Sequence, residues 1–62
     1  MHGMKGFPGF NSLTAGQEVR ACMGWGWPEA TVLEVHELSV LVTLKRDGRV
    51  VRVYDIRSIR RQ

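Results

Sequence analysis

From Glu18 onward polar and apolar residues alternate with a period of two, the spacing that turns one face of a β-strand to a core and the other to solvent. Glu18-Val19-Arg20-Ala21-Cys22 reads as a first strand, and the β-branched run Ala30-Thr31-Val32-Leu33-Glu34-Val35 as a second. Leu38-Ser39-Val40-Leu41-Val42-Thr43-Leu44 and Val50-Val51-Arg52-Val53-Tyr54 follow as a third and a fourth. Met23-Gly24-Trp25-Gly26-Trp27-Pro28 is a turn-rich loop, and His36-Glu37 marks a short turn. Asp47-Gly48 predicts a two-residue type I′ hairpin, because Asp tolerates and Gly freely accepts the positive φ that both central positions need. That turn sets Leu44 opposite Val51, Thr43 opposite Arg52, Val42 opposite Val53 and Leu41 opposite Tyr54. Leu44, Val42, Val51 and Val53 then share a dry inner face. Lys45, Val50, Thr43, Arg52, Leu41 and Tyr54 share the other, a mixture of aliphatic, aromatic and cationic groups unlike an ordinary solvent face.

Beyond Tyr54, Ile56 and Ile59 stand three apart, as a short 3₁₀ turn requires to drop both onto the core, and Arg60-Arg61 closes the pattern as a short edge strand. The expected fold is all-β: a small five-stranded SH3-like barrel over residues 16–62, with a short 3₁₀ turn before the last strand, the plan of SH3-like, KOW and Tudor barrels. Residues 1–15 hold four glycines and prolines and no sustained period, and read as a flexible N-terminal arm that Phe7 and Phe10 can tether to the barrel.

A chain of 62 residues buries only about 60% of the surface its unfolded form exposes, so it needs reinforcement. Cys22 is the sole cysteine, which excludes an internal disulfide, and Cys22, His2 and His36 lack the spacing of a structural zinc site. No metal is expected, and oligomerisation remains as the route to stability. The formal charge of +3 conceals an asymmetry. Lys5 and Arg20 stand against Glu18, Glu29, Glu34 and Glu37 in the first 44 residues. Lys45, Arg46, Arg49, Arg52, Arg57, Arg60 and Arg61 stand against only Asp47 and Asp55 in the rest. A C-terminal segment of that sign points to an anionic partner: nucleic acid, a phosphorylated cofactor or an acidic protein. No apolar run approaches the ~20 residues of a membrane span, and no continuous apolar segment follows Lys5, so no membrane association and a cytoplasmic location are expected.

Arg52 and Tyr54 on the mixed face are candidates for a ligand floor. Trp25, in its glycine-flanked loop, is a candidate for stacking on a base, whereas Trp27, next to Pro28, suits a plug at the barrel end. Together with Lys45, Arg57, Arg60 and Arg61, Trp25 makes the set that a non-enzymatic nucleic-acid-binding module of the SH3-like or KOW type would use. A groove of Trp25, Trp27 and Tyr54 for a proline-rich peptide lacks the acidic loop that such grooves carry. His36 has only Glu34 and Glu37 as neighbouring carboxylates. Cys22 has no nucleophile's setting and reads as a small hydrophobe.

Phe7-Pro8, Gly16, Val19-Arg20, Gly24, Trp27 and Val32, taken together, resemble the type II dihydrofolate reductases, small SH3-like barrels whose members show Phe-Pro, Gly-Asp-Arg-Val-Arg and Gly-Ala-Ala-Trp at the same mutual spacings. Val51-Arg52-Val53-Tyr54 is similar to that family's Val-Gln-Ile-Tyr, and Ile56 and Ile59 to its closing apolar pair. The resemblance implies a homotetramer around one pore, in which NADPH reduces dihydrofolate. Val51, Arg52, Val53 and Tyr54 would hold the cofactor, and Arg52 and Tyr54 would act in catalysis. The chain departs from the family where Arg52 replaces the glutamine, Ala21 a lysine and Val50 a serine.

Overall fold

The computed structural model describes residues 10–62. Phe7 and its expected tethering role lie outside them. Five antiparallel strands form one sheet: β1 (Glu18–Ala21), β2 (Glu29–Val35), β3 (Val40–Leu44), β4 (Val50–Val53) and β5 (Ile59–Arg61). Their order is β4-β3-β2-β1-β5, so each strand pairs with its chain neighbour except β5, which returns to β1. The expected barrel is not closed. β4 and β5 each pair on one side only and remain as edges, both short enough to leave few backbone groups unpaired.

The alternation works as the pattern demands. Val19 and Ala21 on β1, Ala30 and Val32 on β2, Val40, Val42 and Leu44 on β3, and Val53 on β4 are buried together. Leu33 is an extra residue in β2: Val32 lies opposite Val42, but Glu34 lies opposite Leu41. This bulge lets Val32 and Val35, three residues apart, both reach the core. The 3₁₀ turn Ile56–Ser58 brings Ile56 and Ile59 against the same core, as their spacing predicts.

Within the described part of the arm, Phe10 and Leu13 are core residues; Phe10 opens a 3₁₀ turn at Phe10–Ser12, and Leu13 follows it. Backbone bonds hold this segment to β2: Gly16 N–H donates to the Val32 carbonyl at 2.7 Å, and Val32 N–H to the Gln17 carbonyl at 2.9 Å. Arg61 Nη2 adds a 3.2 Å bond to the Ser12 carbonyl.

The β3–β4 hairpin differs from the expected two-residue turn. Leu44 accepts from Gly48 N–H and donates its own N–H to the Arg49 carbonyl, both at 2.8 Å, enclosing a loop of Lys45, Arg46, Asp47 and Gly48. Gly48 has φ +76, but Asp47 is not in the left-handed region. Its carboxylate instead accepts from Arg49 N–H at 3.0 Å, a local bond that stabilises the wider loop and removes the need for positive φ at Asp47. Pairing is displaced by two residues: Val42 faces Val51, Leu41 faces Arg52 and Val40 faces Val53. An even displacement preserves the faces, so Leu44 and Val51 both still point inward. Tyr54 falls beyond the end of β4.

A candidate nucleic-acid interface at one end of the sheet

Antiparallel order places the β1–β2 loop and the β3–β4 loop at the same end of the sheet. In the first, Met23 N–H donates to the Gly26 carbonyl at 2.9 Å and Gly24 adopts φ +88, which leaves Trp25 at the tip with 63% of its surface exposed. A side chain at position 24 would be strained there, whereas glycine is not. In the second loop, Arg46 extends so that its guanidinium carbon lies 5.0 Å from the Trp25 ring centroid, within cation–π range. Pro28, Glu29, Lys45 and Arg46 line an open depression of about 560 Å³ between the loops. That is the size of many small-molecule sites, but its wide mouth suits a flat group laid on a surface better than an enclosed cofactor.

A second cationic pair lies alongside. Arg60 on β5 is directly opposite Arg20 on β1, and its guanidinium carbon is 4.3 Å from the Trp27 ring centroid. Arg20 donates from Nη1 to the Trp27 carbonyl at 3.0 Å and from Nη2 to Glu29 at 3.5 Å. Trp27 is partly buried beneath this cover, outside the hydrophobic core. Lys45 is paired with Glu18, whose carboxylate holds the ammonium above its usual range.

The structure thus gathers Trp25, Lys45 and Arg60 at this end, and adds Arg20 and Arg46. Arg57 is occupied by Asp55 through Nε and Nη2 at 3.2 and 3.1 Å. Arg61 leaves the group for the Ser12 carbonyl. Arg46 was legible only as the residue beside Lys45 in a hairpin loop; nothing local in the sequence ties it to Trp25. Comparison with protein-family models, curated proteins and solved structures gave no match.

The strand Val51-Arg52-Val53-Tyr54 divides between two sides. Val51 and Val53 pack on the core, while Arg52 and Tyr54 are exposed, Tyr54 at 73%. Ala21, at the position of the reductases' lysine, is completely buried. His36 stands in the turn before β3, at the opposite end of the sheet from Trp25, and contacts Glu34 at 2.9 Å. Cys22 is partly buried and its N–H donates to the Ser58 carbonyl. Among the described residues no three His, Cys, Asp or Glu side chains group as metal ligands would, and no helix is long and apolar enough to cross a membrane.

Proposed function

We propose that this domain binds single-stranded nucleic acid at the loop end of its sheet, with Trp25 as the stacking platform and the surrounding arginines as phosphate contacts. The observation that carries the reading is the exposed Trp25 ring with Arg46 against it, beside an open depression. Among the described residues at this end, Arg46, Arg49 and Arg60 have no carboxylate partner, so their charge is available to an anion. An aromatic face with adjacent unpaired cations is what a base and its phosphate require together. The test is a titration of tryptophan fluorescence with single-stranded oligonucleotides across a salt series. Affinity should fall steeply with salt, as each phosphate contact releases counterions. Absence of binding at low salt defeats the reading.

A second reading is a homotetrameric, NADPH-dependent dihydrofolate reductase of the type II kind. It is favoured by Arg52 and Tyr54, which stand exposed with Val50 on or just beyond an edge strand and could line a shared pore. The inward turn of Val51 and Val53 and the burial of Ala21 leave only part of that family's ligand set facing outward, which ranks this reading below the first. Native mass and NADPH oxidation with dihydrofolate decide it. A monomer that never oxidises NADPH removes it.

A further inference from the structure

We infer that Arg20 and Arg60, opposed across β1 and β5 and braced by Trp27, form a fork for one internal phosphodiester of a bound strand. The inference rests on the nucleic-acid reading and assigns different work to the two tryptophans: Trp25 meets a base, and Trp27 supports a phosphate contact.

Like charges directly opposite each other on an antiparallel pair destabilise it unless something lies between them to neutralise them. Arg20 and Arg60 are such a pair. Glu29 offsets Arg20, but no carboxylate among the described residues pairs with Arg60. Arg60 lies against the Trp27 ring, and Arg20 is tied to the Trp27 carbonyl, so both guanidinium groups are held by the same residue before any ligand arrives. An arginine already fixed in this way loses less freedom on accepting an oxyanion, and its planar donors match phosphate oxygens. Trp27 is partly buried as well as covered by Arg60, whereas Trp25 keeps 63% of its surface exposed beside Arg46, so Trp25 is the ring left for a base.

The local charge selects the kind of phosphate. Arg20, Glu29 and Arg60 together leave one positive charge. An internal phosphodiester carries one negative charge, whereas a terminal phosphomonoester carries about −1.5 to −2 at neutral pH. The fork therefore suits the interior of a strand, and Glu29 acts as the element that disfavours a phosphorylated end.

The experiment has two arms. In the first, chloride is replaced by dimethyl phosphate at constant ionic strength, and the Nε–Hε resonances of Arg20 and Arg60 in the unaltered protein are followed by NMR; both should move. In the second, oligonucleotides with and without a 5′-phosphate are titrated against wild type, Arg60→Gln, Arg60→Lys and Glu29→Gln. Wild type should bind both strands alike. Arg60→Gln should weaken binding about tenfold and lower the salt slope by about 0.7, the value of one single-strand phosphate contact. Arg60→Lys should keep the slope while losing affinity, since the charge remains and the fork does not. Glu29→Gln should gain several-fold preference for the phosphorylated strand. An Arg60 resonance unmoved by dimethyl phosphate, or an unchanged slope in Arg60→Gln, overturns the fork. Resonances that move in a protein that binds no oligonucleotide would defeat the nucleic-acid reading and leave the fork standing.

Discussion

Arg52, exposed on edge strand β4, donates a 2.9 Å hydrogen bond from Nη1 to Oγ of Ser39, which is only 5% exposed in the turn leading into β3. Arg52 lies directly opposite Leu41, so the bond runs diagonally along the outer face to the turn before the neighbouring strand. A residue that resembles part of a ligand site is therefore also a brace for a buried hydroxyl.

Arg52→Gln should destabilise the monomer by about 1 kcal/mol, the usual net worth of such a bond. The same change in a Ser39→Ala background should cost much less, since the partner is already gone. Urea denaturation of the four proteins in this cycle measures the coupling. In a tetramer with four Arg52 side chains around one pore the sign reverses at low salt, because like-charge repulsion is relieved. The direction of the effect thus separates the two proposed functions as well as the structural role.

Trp25→Ala should reduce oligonucleotide affinity about tenfold, within the range for one base stacked on an aromatic side chain. Stability should hardly change, since the ring is mostly exposed and its neighbour Arg46 is a surface residue. The check is paired binding and melting curves. Equal affinity in the variant would move the binding surface away from this loop.

Gly48→Val should cost about 1 kcal/mol or more, and Gly48→Ala somewhat less. A Cβ at this position meets nothing within 4 Å, so the penalty comes from the φ of +76 alone. Thermal unfolding of both variants tests it. Indifference to valine would show that the hairpin readily adopts another turn.

Asp55 accepts from Arg57 through side-chain Nε and Nη2 and also through the backbone N–H at 2.9 Å, and these bonds hold its carboxyl below the ordinary 3.8. A carboxylate with a lowered folded-state value stabilises above its unfolded value, and the contribution disappears as the pH falls through the folded one. Asp55→Asn should therefore melt below wild type at neutral pH, with the gap beginning to narrow once the pH drops under about 3.8 and gone only below the lower folded-state value. Melting curves between neutral and acid pH make the comparison. A gap that persists at the acid end would assign the effect to the 3₁₀ turn's packing instead of the charge.

The period-two alternation determined the strands and which of their faces is buried, because side-chain direction follows directly from strand geometry. Gly48 likewise announced positive φ, and the Ile56 and Ile59 spacing announced the 3₁₀ turn, since both are properties of a few consecutive residues. The hairpin register was not legible at that level. Displacing β4 by two residues keeps every side chain on its face, so the pattern fits both pairings and the Asp47 side-chain bond decides between them. The bulge at Leu33 was hidden because Val32 and Val35 only need to share a face once the curved sheet brings them to one core. The same holds for Phe10 and Leu13, whose apolar character gives no strand period but whose burial follows from the backbone bonds tying residues 16 and 17 to Val32. The candidate site was half visible: Trp25, Lys45 and Arg60 have the residue types, but Arg46 and Arg20 joined them only through the fold. Trp25 and Arg46 are far apart in sequence, and no local propensity links them. The sheet order that puts two loops at one end brings that aromatic ring and that charge together.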